Sequence, residues 1–157
     1  MCIKIILLMI FCHIIDNFVL TNKLEVMKQK LWWEDTCAKD GLNIEKYKDD
    51  YKMALLLHSV EWSIIILIPI FMLLNPPGWL LLLTVVCNAT IRYIVDNASV
   101  NQFRLNLMQC QIIYFIQIII TCVVLMWTTN PLKMMRFSCI YFNIKKWAVI
   151  CLIAHFS

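Results

Sequence analysis

Glycine occurs twice and proline four times in this 157-residue chain. Turns are therefore scarce, which excludes a chain broken into many short elements. Charge is also thin: 15% of residues are Asp, Glu, Lys or Arg, against about 25% in an ordinary soluble domain. No CxxC pair occurs, so the eight cysteines carry no thiol-redox or zinc-finger signature. Metalloprotease HExxH, the P-loop, GxSxG and the dinucleotide fingerprint are all missing. The formal net charge is +4, but no basic stripe marks an aqueous face, which excludes the usual footprint of a nucleic-acid partner.

Apolar sequence fills the space. Hydrophobic residues make up 62% of the chain and mean hydropathy is +0.76. A soluble fold of this size cannot hide that much apolar surface in one core; a lipid bilayer can, because hydrocarbon is then the solvent. The composition predicts an all-α, multi-pass transmembrane helical bundle in a cell membrane. Seven of the cysteines lie in or beside apolar runs and read as small hydrophobes; only Cys37 sits in a polar segment.

Four apolar runs are predicted to span, at about residues 3–20, 53–74, 79–95 and 108–127. A weaker fifth run at 137–156 is interrupted by Lys145 and Lys146. Residues 1–130 form the predicted membrane bundle, and 131–157 a tail holding that weak helix. Ile14, Ile15 and Asp16 offer no small-residue cleavage site, so the first run reads as an uncleaved membrane helix. Residues 21–52 differ in kind, with seven lysines facing seven carboxylates and Gly41 as the one strong break. They read as an interfacial or aqueous loop lying on the membrane, with Trp32 and Trp33 at headgroup level, and as the surface open to a protein partner. Asn75-Pro76-Pro77-Gly78 predicts a tight hairpin between runs two and three. On the four-span layout, the side holding 21–52 carries those lysines plus Arg104. The other side has Lys4, Lys133, Arg136, Lys145 and Lys146. The excess orients 21–52 toward the cytoplasm.

The polar interruptions of the four runs all fall at that cytoplasmic end. His13 and Asp16 are three apart, as are His58 and Glu61; Asn88, Arg92 and Asp96 step by four; Cys110, Tyr114, Gln117 and Thr121 step by four, three and four. Each set occupies one helical face. An ionised group facing lipid costs about 2.5–3.5 kcal/mol, so these faces are expected to turn inward and pair. The predicted intramembrane cluster is His13, Asp16, His58, Glu61, Asp96, Asn106, Gln111 and Gln117. Snorkelling at headgroup level is a sufficient explanation for Asp96, Asn97 and Asn106 taken alone, and polar contacts that hold helices together are a sufficient explanation for the rest. Two imidazoles with carboxylates also suit a divalent metal, general acid–base chemistry on a membrane substrate, or an ion path. Their two HxxD/E spacings match no diagnostic metal motif. The residues therefore name no catalytic residue, no metal ligand set and no cofactor. They leave two classes open: a structural or partner-binding membrane component, and a membrane-embedded metal-dependent hydrolase or small transporter.

The strings HIIDNFVL (13–20), MKQKLWWE (27–34), DYKMALLLHSVEW (50–62) and VDNASVNQFRLNLMQCQIIYFIQI (95–118) resemble the bacterial and phage membrane proteins grouped as domain of unknown function 3307. The resemblance covers residues 5–121 and implies a small multi-pass helical bundle with no assigned activity. This chain departs from the family pattern where Arg92 replaces a His, Ser99 a Lys, and Cys110 and Tyr114 an Asp and a His. His13, Asp16, His58, Asp96, Asn106, Gln111 and Gln117 are retained, which implies a diverged copy that keeps the fold.

Overall fold

The computed structural model describes residues 2–20 and 22–129. The predicted fifth run and the tail from residue 131 lie outside the described residues. Among the described residues there is no strand. The α-helices are α1 (Cys2–Ile15), α2 (Asn22–Met27), α3 (Lys30–Asp40), α4 (Ile44–Tyr47), α5 (Asp50–Leu74), α6 (Gly78–Asp96) and α7 (Leu107–Thr129). Two π-helical turns, Asp16–Leu20 and Asn97–Asn101, follow α1 and α6.

Three helical stretches, Ile44–Leu74, Gly78–Asn101 and Leu107–Thr129, are long and apolar enough to cross a membrane. They correspond to runs two to four. The first run forms no continuous α-helix: α1 has 14 residues, about 21 Å at 1.5 Å each, against a hydrocarbon core of about 30 Å. It gives way to the π turn at Asp16, from which the Asn17 side chain reaches Arg92 of α6. Local chemistry sets the other boundaries. Asn75 takes the left-handed conformation (φ 44°) and its N–H closes on the Phe71 carbonyl, ending α5. Gly41 (φ 66°) ends α3 in the same way, a conformation glycine adopts without a Cβ penalty. Pro69 sits inside α5, buried, and the helix runs on through it to Leu74.

The core is built at helical spacing from Ile5 and Met9 of α1, Trp62, Ile66 and Ile70 of α5, and Ile118, Cys122 and Leu125 of α7. α5 is the central helix, packed on α6 and α1; α7 packs chiefly on α1. The outward faces stay apolar: Leu7, Met72, Leu82 and Ile116 are all more than half exposed. Cys110 and Cys122 are buried, as expected of small hydrophobes, whereas Cys87 is exposed; Cys37, in the polar segment, is buried as well.

The segment 21–52 does not lie wholly on the surface, contrary to its reading as a solvated loop. α2 packs against α5, and Lys28, between α2 and α3, is 3% exposed. Cys37 is also buried, under a layer in which Trp33 stacks on Tyr47 at 6.5 Å. The physical reason is an anchor at each side of residue 28. The Trp33 indole N–H donates to the Met27 carbonyl at 2.6 Å. The Asn101 amide donates to the Lys28 carbonyl and accepts from the Lys30 N–H.

Candidate functional site

Four helices deliver their polar side chains to one end of the bundle, because α1 runs antiparallel to α5 and α7, and α6 antiparallel to α7. Arg92 of α6 is the hub. Its Nε donates to Asp96 Oδ2 at 3.2 Å, one turn along the same helix, as their i,i+4 spacing suggests. One terminal nitrogen donates to Asn17 Oδ1 at 3.0 Å and lies 3.2 Å from His58 Nε2. The guanidinium carbon lies 3.8 Å from the centre of the Tyr114 ring and 4.9 Å from that of Trp62. Two aromatic faces thus shield the cation and attract it through their quadrupoles. Arg92 is 2% exposed.

Asp96 is shared by three elements. Its Oδ2 also accepts from Lys28 Nζ at 3.2 Å, and its Oδ1 accepts from the Tyr114 hydroxyl. Lys28 makes a second pair with Glu25 at 2.8 Å. A buried carboxylate held by two cations and a phenol is the arrangement that makes burial of charge tolerable, since each ion would otherwise cost several kcal/mol to desolvate.

Both imidazoles adjoin this hub, His58 directly and His13 through Asn17. The Trp62 indole, which can only donate, gives its N–H to His13 Nδ1 at 2.8 Å. The proton of the neutral ring therefore sits on Nε2, which meets Gln111 Oε1 at 3.0 Å. His58 accepts from the Arg92 guanidinium through Nε2, leaving its proton on Nδ1, which has no hydrogen-bond partner among the described residues. His58 Nε2 also lies 3.4 Å from Asp96 Oδ2. Asp16 is fully buried and feels the charges of Arg92, Lys28, Glu61 and Glu25.

Of the eight residues expected to cluster, six come together here: His13, Asp16, His58, Glu61, Asp96 and Gln111. Two do not. Asn106 is exposed and caps the start of α7, its side chain accepting from the Gln109 N–H while Gln109 returns the bond to the Asn106 N–H. The polarity of Asn106 serves a helix terminus. Gln117 lies three residues, just under one turn, beyond Tyr114 and belongs to a separate layer. There its amide donates to the Asn88 carbonyl and side-chain oxygen at 3.0 and 2.7 Å, and Thr121 donates to the same oxygen at 3.0 Å.

Three members escape a reading by run. Lys28 sits in a segment where seven lysines look alike. Trp62 looks like core. Asn17 looks like a helix end. The one available signal is spacing: Trp62 is four residues after His58, Asn17 four after His13, and Lys28 three after Glu25. Among the described residues, no group of three His, Cys, Asp or Glu could hold a metal ion. Compared with known proteins, the chain matches no family model, no curated protein and no solved structure.

Proposed function

We propose that this chain is a multi-pass membrane component whose buried ionic network locks four helices into one register. α5, α6 and α7 cross the bilayer, and α1 with its π turn lines the same bundle from the side. The single observation that carries the reading is the burial of the network: His58 and Asp16 are 0% exposed, His13 1%, Arg92 2% and Asp96 3%. Among the described residues the oppositely charged partners face one another, Lys28 and Arg92 both on Asp96. Apolar outer faces supply no net association energy between helices in lipid, so polar contacts and close packing must do that work. A metal-dependent hydrolase or a transporter would instead need the imidazoles and carboxylates presented to a ligand.

Placement in a bacterial inner membrane, with residues 21–52 on the cytoplasmic side as the partner-facing surface, belongs to the same proposal. It rests on the lysine bias and on the resemblance drawn from the sequence. The pairing of Lys28 with Asp96 then gives that surface a mechanical link to α6.

The test is a combined apolar replacement. Removing one partner of a buried ionic cluster leaves an uncompensated charge, whereas replacing the whole cluster by apolar side chains of similar volume is often neutral or stabilising. The triple variant His58→Leu, Arg92→Met, Asp96→Leu should be more stable in detergent than Arg92→Met alone. A chemical site that contributes little to packing would show three single variants as stable as the wild type, with loss confined to a biological readout, and that result would refute the proposal.

A further inference from the structure

The hairpin of α5 and α6 leaves an open groove of about 660 Å³ between its two helices. The groove is sorted by height. On α5 its wall begins at Asp49 and Lys52 and continues through Leu56 to Val60; on α6 it runs from Tyr93 through Thr90 and Ala89 to Val86. Ala89 is buried, and its single methyl keeps the helices from filling the space themselves. Thr90 turns its hydroxyl back onto the Val86 carbonyl at 2.8 Å, so that donor is spent within the helix. The charged groups among the lining residues stand at the outer end, where Lys52 Nζ meets Asp49 Oδ1 at 2.7 Å and the two side chains are 52% and 62% exposed.

Those heights match one leaflet of a bilayer. Lys52 lies 22 residues before Leu74, the last residue of α5, about 33 Å along the helix at 1.5 Å each, and the hydrocarbon core is about 30 Å thick. With the hairpin turn at one boundary, Lys52 and Asp49 stand at the headgroups of the other. Val60 is eight residues, about 12 Å, inside Lys52, and Val86 is eight residues, about 12 Å, inside Gly78 at the opposite boundary. Among the described residues the walls thus run from headgroup level to near the bilayer middle and stop. A partner helix would need a groove that crosses the whole hydrocarbon, whereas a single lipid molecule needs only this half.

We propose that the groove binds one phosphatidylethanolamine, an acyl chain along Leu56 and Val60 and the headgroup on Lys52 and Asp49. The inference rests on the reading of α5 and α6 as membrane-crossing helices. Charge complementarity selects the headgroup. The protein offers a cation and an anion side by side, and the lipid offers a phosphate and a primary ammonium a few atoms apart. Lys52 pairs with the phosphate and Asp49 accepts from the ammonium, so neither charge of the lipid faces its like. An exposed ion pair within one helical turn contributes little to stability, so exchanging it for the lipid costs little. A phosphatidylglycerol headgroup lacks the cation and sets its phosphate beside Asp49. A choline headgroup keeps the cation but has no N–H to donate.

The test is lipid retention. Full-length protein is freed of lipid in detergent, and phosphatidylethanolamine, phosphatidylglycerol or phosphatidylcholine with identical acyl chains is added in turn. Native mass spectrometry counts the lipid held per chain. One phosphatidylethanolamine should be retained, about tenfold more tightly than either of the others, the effect of one charge-assisted hydrogen bond. Asp49→Asn should abolish that preference, and Lys52→Gln should weaken retention of all three; both side chains are exposed, so neither change disturbs the core. Val86→Trp, at a groove position 54% exposed, should expel the lipid, and Leu82→Trp, 67% exposed and outside the groove, should not. Phosphatidylglycerol bound as tightly or more so, an unchanged preference in Asp49→Asn, or a protein dimer that Val86→Trp dissociates overturns the proposal. An alkaline wash of membranes separates two kinds of failure. A chain released by the wash removes the membrane reading and this proposal with it, whereas a chain that stays in the membrane but shows no lipid preference removes this proposal alone.

Discussion

Replacing Arg92 by Met removes one positive charge from a site where it is 2% exposed and holds three side chains. The variant loses the bonds to Asn17, His58 and Asp96 and the contacts over the Tyr114 and Trp62 rings. Breaking a buried ion pair from one side costs about 3–5 kcal/mol. Lys28 remains on Asp96 at 3.2 Å, so Asp96 is not left without a counter-charge, and Met keeps most of the packing volume. The expected loss is therefore at the lower end, about 3 kcal/mol, which is roughly a 100-fold shift toward the unfolded state. Arg92→Lys should fall between the two. It keeps the charge but gives up the planar fork that spans Asn17 and Asp96 and the flat face that lies on the rings. The assay is reversible unfolding in mild micelles titrated with a denaturing detergent and followed by far-ultraviolet circular dichroism. If Arg92→Met unfolds within about 0.5 kcal/mol of the wild type, the ordinary range for a change away from any key contact, the hub assigned to Arg92 is wrong.

The same geometry sets other outcomes. Trp62→Phe keeps the ring but deletes the donor to His13 Nδ1, and should cost about 1–3 kcal/mol; an unchanged denaturation midpoint would count against the assigned tautomer. Lys28→Met should detach residues 21–29 from the bundle, read as faster protease cleavage there while α5, α6 and α7 remain protected; equal protection of the whole chain would contradict the Lys28–Asp96 link. For orientation, native Cys37 is a poor reporter because it is buried, whereas the Lys39 side chain is 71% exposed. Lys39→Cys in a background lacking Cys37 should react with an impermeant maleimide only from the cytoplasmic side, and labelling from outside intact cells would reverse the proposed topology.

Much of the helical layout was legible because its causes are local. An apolar run needs no knowledge of its neighbours to be a helix, and Asn75-Pro76-Pro77-Gly78 and Gly41 break the chain by their own backbone preferences. The Arg92–Asp96 pair was legible for the same reason, since one helical turn separates them on one element. The split of the first run at Asp16 was not, because Asn17 of the π turn answers to Arg92 on another helix. Asn106 and Asp96 look alike as polar residues at helix ends; one caps a helix and the other anchors a network, and only the neighbours across the bundle distinguish them.

From the residues alone, hydropathy, helical periodicity and turn chemistry determined that the described residues are helical, where three of the four expected spans run, and that Arg92 and Asp96 stand one turn apart. Each of these follows from short-range rules of sterics and solvation. The tertiary structure alone decided that Lys28 leaves a solvated segment to neutralise Asp96, that Trp62 orients His13, and that Gln117 stands apart from the site it seemed to join. Those pairings bridge as many as 68 residues of sequence, and electrostatic complementarity over such a separation exists only once the helices have been brought side by side.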